Sequence, residues 1–95
     1  ALTEQFVFQQ LCSSDVEKIT YWTNDRSTSE VDFIVQKEGR IIPIEVKAEV
    51  NLRARSFKFF CEKFKPETAL RFSIKDYKEE SWMINLPLYT VEYAL

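Results

Sequence analysis

The sequence predicts a small α/β domain in which helices flank a mixed β-sheet. Two observations lead to this expectation. Runs rich in β-branched and aromatic residues alternate with stretches of helical periodicity, and two of these runs flank a short turn that contains the only glycine. The predicted order is α-β-β-β-α-β with a C-terminal extension. With 95 residues, 45% of them hydrophobic, the chain has room for a single domain spanning residues 1–95.

The first two elements are predicted to be a helix and a strand. Residues 2–12 are mostly good helix formers, and Phe8, Leu11 and Cys12 recur at helical spacing, which indicates a buried face. After a turn signal, the run KITYWT at 18–23 indicates the first strand.

A hairpin is predicted in the middle of the chain, after a polar loop at 24–29. The β-rich runs 30–37 and 40–47 are separated by Glu38 and Gly39, which suit a two-residue turn. If these are the two central turn residues, they set the register of the two strands. A three-residue loop or a bulge would instead shift the pairing by one residue and send Asp32 to the other face.

A second helix is predicted from Asn51 to about Phe64, and Pro66 ends it. Its buried face is expected to consist of four residues at helical spacing: Phe57, Phe60, Cys61 and Phe64. Strands follow at 68–74 and 82–85, and the apolar residues of the tail are expected to dock as a final helix. The remaining aromatics are predicted to be core residues rather than base-stacking groups: Tyr21, Trp22, Trp82, Tyr89 and Tyr93.

The residue types limit the chemistry that this chain can perform. The absence of histidine excludes Ser-His-Asp triads, HExxH metalloproteases and zinc deaminases, so carboxylates, Lys, Ser, Thr or Tyr must carry any activity. Cys12 and Cys61 lie at apolar positions of predicted helices, which favours buried free thiols over a disulfide or a metal pair.

The apolar runs are too short for a membrane protein. None approaches the roughly 20 residues that a spanning helix needs, and no signal peptide opens the chain. We expect a cytoplasmic protein with no membrane partner. The first residue is Ala1 rather than Met, and we expect the chain to be part of a longer protein.

The hairpin register gathers charged residues on one face. It places Asp32 opposite Glu45, and Lys47 shares this face with Glu45 because side chains alternate with a period of two. The other face is predicted to be a continuous apolar surface made of Val31, Phe33, Val35, Ile42, Ile44 and Val46. Carboxylates about 5 Å apart are destabilising unless they are neutralised, and a divalent cation is their natural partner.

Two interpretations of these charges remain open. In one, they lie on the solvent-facing side of a half-exposed hairpin. In the other, which is favoured because Ile34, Ile41 and Pro43 make the same face apolar enough to be covered, they form a metal site. Such a site suits phosphodiester hydrolysis, since a metal activates water and a lysine stabilises developing negative charge.

The motif E-V-D-F-I-V, a turn and I-I-P-I-E-V-K resembles the D…E-x-K hairpin of the PD-(D/E)XK nuclease superfamily, which includes restriction endonucleases. More narrowly, the chain is similar to a C-terminal domain that follows an AAA-type ATPase module in many bacterial and archaeal proteins. There, an early helix with a Glu, here Glu4, precedes the hairpin, and a late segment, here Ile84 to Tyr89, closes the domain. Val31 stands where the superfamily often has a Pro.

The resemblance implies a restriction-endonuclease-like fold and assigns roles to four residues. Asp32 and Glu45 would bind Mg²⁺ or Mn²⁺, Lys47 would be the catalytic lysine, and Glu4 would be an additional metal ligand. It also implies DNA as substrate and an ATPase domain of the same chain as partner. For Glu4, a role in complementing the helix dipole is an equally good explanation.

The second helix carries basic residues on its predicted outer face, namely Arg55, Lys58 and Lys63. They are candidates for nucleic-acid contacts, although an ordinary solvated face explains them more simply. The sequence therefore supports two hypotheses about function. One is a metal-dependent DNA nuclease, and the other is a non-catalytic module that binds nucleic acid or a protein and regulates an attached ATPase.

Overall fold

The computed structural model describes residues 2–23, 30–47 and 55–95. In chain order the elements are α1 (Leu2–Ser13), β1 (Lys18–Thr23), β2 (Glu30–Lys37), β3 (Arg40–Lys47), α2 (Arg55–Phe64), β4 (Leu70–Ser73), β5 (Lys78–Glu79), β6 (Ile84–Pro87), a 3₁₀ turn (Leu88–Thr90) and α3 (Val91–Ala94). The predicted loop at 24–29 and the predicted start of α2 at Asn51 lie outside the described residues.

The strands form one six-stranded mixed sheet in the order β1-β2-β3-β4-β6-β5. Strands β1, β2 and β3 are antiparallel neighbours, β4 is parallel to both β3 and β6, and β5 is antiparallel to β6. Helix α2 lies on the crossover between β3 and β4, because parallel strands need a long connection. The predicted α/β class, with a mixed sheet flanked by helices, is confirmed.

Hydrophobic residues pack on both faces of the sheet. On one face α1 and α3 contribute Val7, Leu11 and Val91, which are fully buried against the central strands. On the other face α2 contributes Phe57, Phe60 and Cys61. Because β3 is covered on both sides, its residues from 42 to 46 are buried without interruption.

The hairpin turn follows the predicted geometry. Glu38 and Gly39 have φ values of 51° and 75°, the pattern of a type I′ turn, and the β2–β3 pairs run from Lys37–Arg40 to Phe33–Ile44. The predicted register is therefore confirmed as far as the Phe33–Ile44 pair.

Beyond this pair, a β-bulge in β2 changes which face the side chains occupy. Thr20 of β1 pairs with Ile34, whereas Trp22, two residues later, pairs with Val31, three residues earlier. The extra residue in β2 turns Val31 towards α2, while Phe33 stays on the α1 face. The predicted continuous apolar surface is thus wrong at Val31, because a bulge interrupts the period of two.

The buried faces of the helices are narrower than predicted. In α1 Val7 and Leu11 are buried, but Phe8 is 44% exposed and Cys12 is exposed, because the helix touches the sheet along a thin stripe. Phe64 is 51% exposed because it is the last residue of α2. Its ring still packs edge-on against Trp22, with ring centroids 6.1 Å apart.

The aromatic predictions hold for the tryptophans only. Trp22 and Trp82 are half-buried and pack beside α2. The three tyrosines Tyr21, Tyr89 and Tyr93 are exposed, because they lie on the edge strand β1 and on the outer side of the last turns. None of the helices in the described ranges is long and apolar enough to span a membrane.

We expect Glu38→Asn to raise the free energy of unfolding by about 0.5–1 kcal/mol, because asparagine tolerates the left-handed backbone of this turn better than glutamate. Urea denaturation of the variant and the parent protein measures the difference. The matched control is Glu67→Asn at an exposed position with no such constraint. An equal gain in both variants would contradict the strain at Glu38.

Candidate functional site

Asp32 closes the end of the β2–β3 ladder with its side chain. Its Oδ2 accepts a hydrogen bond of 2.8 Å from the backbone N–H of Val46. Paired residues end at Phe33–Ile44, so a carboxylate oxygen takes the place that a β2 carbonyl would occupy in a regular ladder. Asp32 is therefore turned by the bulge towards β3, rather than standing across from Glu45 in a regular pair as predicted.

Backbone N–H groups point alternately to the two sides of a strand, and this alternation explains how Pro43 fits into the central strand β3. Because the N–H of Val46 faces β2, the nitrogen of Pro43 faces β4. The β3–β4 ladder begins one residue later, at Ile44–Leu70, so the missing donor of Pro43 falls before the first pair.

Glu45 is a buried carboxylate on the central strand β3. It is 8% exposed, and its Oε1 lies 3.8 Å from the Nζ of Lys47. Its buried Oε2 accepts no hydrogen bond from the described residues. Burial is the main cause that raises the pKa of Glu45 to about 7, Asp32 adds to the rise, and Lys47 and Arg71 oppose it.

Helix α2 lies over this carboxylate. Burial raises the pKa of the Cys61 thiol to about 12, and the charge of Glu45 contributes to that rise. The covered face that favoured a metal site over a solvated hairpin is therefore present, and Cys61 of α2 is part of the cover.

Asp32 and Glu4 interact through their charges. Burial raises the pKa of Asp32, the hydrogen bond from Val46 opposes the rise, and the charge of Glu4 adds to it. The first turn of α1 thus brings Glu4 within electrostatic range of Asp32, while Glu4 itself stays exposed. Both explanations of Glu4, as a partner of the hairpin carboxylates and as a complement to the helix dipole, fit this position.

The described ranges contain no group of three His, Cys, Asp or Glu side chains that could hold a metal ion. Asp32 and Glu45 still fit a hard cation, because Mg²⁺ is usually bound by one or two carboxylates together with water and substrate phosphates. The buried Oε2 of Glu45 is an acceptor that such an ion would satisfy. Glu4 as a third ligand stays a prediction.

Sequence reasoning missed the polar residues that continue from Glu45 across the sheet. Glu45 pairs with Arg71 of β4, and Arg71 pairs with Asn85 of β6. The Nε of Arg71 donates to the Oδ1 of Asn85 at 2.9 Å, and the hydroxyl of Ser73 donates to the same oxygen at 2.8 Å. The alternation L-R-F-S in β4 was the available signal, since it places Arg71 and Ser73 on one face.

The three basic residues predicted to bind nucleic acid lie on different flanks of α2. Arg55 and Lys58 line a cleft of about 750 Å³ that Arg71 also borders. Lys63 lies on the other flank, where its Nζ is 5.4 Å from the centre of the Phe64 ring. The structure therefore separates Lys63 from the other two.

The family model described as Domain of unknown function (DUF4143) matches residues 1–89. The chain belongs to this family. The match extends from α1 into the 3₁₀ turn, so it includes Asp32, Glu45 and Lys47. No curated protein and no solved structure matches the chain significantly. Fold and family alone assign no reaction to this DUF4143 domain, so only the residues of its site can indicate its function.

Asp32→Ala should lower the free energy of unfolding by about 1–2 kcal/mol relative to Asp32→Asn, because only asparagine keeps an acceptor for the N–H of Val46. Both substitutions remove the charge, so their difference isolates the hydrogen bond. Urea denaturation at neutral pH measures it, and equal stabilities of the two variants would contradict the capping role of Asp32.

The raised pKa of Glu45 predicts a specific dependence of stability on pH. The unfolded carboxyl titrates near 4.5 and the folded one near 7, so stability falls by up to about 3 kcal/mol as pH rises through this range. Glu45→Gln removes this loss, and we expect the variant to match the parent protein at pH 4 and to exceed its stability at pH 8.

Thermal or urea unfolding at pH 4, 6 and 8 checks this expectation. Glu67→Gln, at an exposed position, serves as the control for removing one carboxylate. A constant difference between Glu45→Gln and the parent protein at all three pH values would contradict the buried titration of Glu45.

Proposed function

We propose that this chain is a divalent-metal-dependent nuclease domain that hydrolyses phosphodiester bonds in DNA. The observation that carries the proposal is the buried carboxylate of Glu45, which has an unsatisfied oxygen within the described structure and lies beside Asp32 and Lys47. A carboxylate buried in this way, with a raised pKa and a charged neighbour, is typical of functional sites.

Asp32 and Glu45 would hold Mg²⁺ or Mn²⁺ through carboxylate oxygens. When bound, the ion supplies an activated water and withdraws charge from the phosphate. The bulge at Asp32 and the cover of α2 over Glu45 hold the two carboxylates in place before any ligand arrives. This preorganisation supports a binding role, since little rearrangement is needed.

Lys47 would act on the phosphate. It lies at the end of β3, its side chain is 26% exposed, and its Nζ is 3.8 Å from Glu45. An ammonium group in this position can reach both the carboxylate site and solvent, so it can stabilise negative charge that develops on a phosphate oxygen. This assignment agrees with the D…E-x-K pattern of the PD-(D/E)XK nucleases. From the similarity to a C-terminal domain that follows AAA-type ATPase modules, we also infer such a module as partner.

The second candidate is a non-catalytic module that binds nucleic acid or a protein and regulates such an ATPase. It is favoured by the finding that the described residues hold no three-ligand cluster. In that case Glu45 would be a structural carboxylate balanced by Lys47 and Arg71.

For the nuclease, we expect cleavage of DNA that requires Mg²⁺ or Mn²⁺ and stops on chelation. Asp32→Asn and Glu45→Gln should abolish cleavage. Lys47→Ala should lower the rate by about 10²–10³-fold, with a smaller effect on metal affinity, because the lysine acts on the phosphate. The assay uses branched, single-stranded and duplex DNA with each metal.

A second readout tests metal binding without cleavage. A metal concentration of 100 times Kd should stabilise the parent protein by about 2.7 kcal/mol, and this gain should be absent in Glu45→Gln. Glu4→Gln tests the third ligand, since a lower metal affinity would add Glu4 to the site. DNA binding without cleavage, unchanged by Asp32→Asn and Glu45→Gln, would reject the enzyme and leave the regulatory module.

A further inference from the structure

The cleft beside α2 has a charge opposite to that of the whole chain. Five basic side chains line it, namely Arg55, Lys58, Arg71, Lys75 and Lys78, against the two acidic ones Asp76 and Glu80. The local net charge is therefore +3, whereas the chain as a whole carries −2. A concave basic surface on a protein of net negative charge attracts anions to that surface, while the rest of the protein does not attract them.

A buried polar network holds this cleft in shape. Arg71 is 5% exposed, its Nε donates to Asn85, and its Nη2 lies 4.0 Å from the Oε2 of Glu80. The side-chain amide of Asn85 donates to the carbonyl of Asp76 at 2.9 Å, and the N–H of Lys75 donates to Ser73 at 3.1 Å. The guanidinium and the segment that carries Lys75 are thus fixed by the same residues.

The wall of the cleft also combines a basic and an aromatic group. Lys58 of α2 places its Nζ 6.0 Å from the centre of the Trp82 ring, and Trp82 packs against Phe57. The cation–π contact keeps the ammonium group of Lys58 at the cleft wall beside other basic residues, where it can contact a phosphate of a nucleic-acid strand.

Strand pairing places the cleft close to the carboxylate site. Glu45, Arg71, Asn85 and Lys78 are partners in successive strand pairs, so they form one row across β3, β4, β6 and β5 on a single face. Glu45 and Asn85 are two strand spacings apart, about 10 Å. A nucleic-acid strand, with about 3.4 Å of rise per nucleotide, covers this distance in about three nucleotides.

From the charge and shape of this cleft we propose that it is a phosphodiester-binding subsite, which holds the backbone of a DNA strand about three nucleotides from Glu45. A role of this subsite in cleavage at Glu45 rests on the proposed nuclease function, whereas backbone binding by the cleft does not. The proposal assigns the nucleic-acid contacts to the exposed Arg55, Lys58, Lys75 and Lys78, and it leaves Lys63 out. The buried Arg71 adds positive charge to the cleft wall.

The test compares two double variants with the same change in charge. Lys75→Gln with Lys78→Gln removes two charges from the cleft, and Lys18→Gln with Lys63→Gln removes two exposed charges outside it. These lysines are exposed, so neither pair disturbs the buried network around Arg71. Binding of a short fluorescein-labelled DNA single strand is measured by anisotropy at several salt concentrations, with a chelator present.

We expect the cleft variant to raise Kd at least about fivefold at low salt and to lower the salt slope by about 1.4, since each lost phosphate contact contributes about 0.7. The control variant should change Kd less than about twofold. Equal effects of the two variants would overturn the subsite. So would equal competition by polyglutamate or by inorganic phosphate at the same concentration of negative charge.

The outcome for the subsite is separable from that for catalysis. Binding is measured under chelation and cleavage is measured separately with Mg²⁺ or Mn²⁺, because the cleft lining contains neither Asp32 nor Glu45. If the cleft variant loses DNA while no DNA is cleaved by the parent protein, the subsite stands and the nuclease falls. If DNA is cleaved and the cleft variant binds it normally, the nuclease stands and the subsite falls.

Discussion

Burial of the central strand β3 on both faces is the constraint from which the properties of the site follow. Helices α1 and α3 cover one face and α2 covers the other, so a charged side chain on β3 has lost most of its water. Glu45 occupies such a position, and its pKa rises to about 7 because the ionised form is poorly solvated. The local charges of Lys47 and Arg71 compensate only in part. Under the proposed function, an added cation would supply further compensation.

A single extra residue in β2 completes the site. A regular strand would have continued the ladder past Phe33, but the bulge ends it and lets the carboxylate of Asp32 bond to the backbone of Val46. The carboxylate of Asp32 is thereby held by a backbone N–H group and not by a donor on a flexible side chain. Asp32 is hydrogen-bonded to the backbone of β3 and Glu45 is a residue of β3, so this strand positions both carboxylates.

Local patterns predicted much of this structure, and long-range packing decided the rest. The predicted two-residue turn at Glu38 and Gly39 sets the hairpin register as far as Phe33–Ile44, and Asp32 lies close enough to Glu45 to raise its pKa. A bulge was among the possibilities, but its position could not be predicted from the hairpin alone, because it is defined by the pairing of β2 with β1. Arg71 was missed for a similar reason, since its neighbour Glu45 is reached only through the parallel pairing of β3 and β4.

The two cysteines differ in solvent exposure, so their reactivities can be compared to measure how well α2 shields the site from solvent. Cys12 is exposed on α1, whereas Cys61 lies on the buried face of α2, where burial and the charge of Glu45 raise its pKa to about 12. Alkylating reagents attack thiolates, so at neutral pH they modify Cys12 and spare Cys61. The rate at which Cys61 is labelled therefore reports how often α2 lifts away from Glu45 and lets solvent reach the carboxylates.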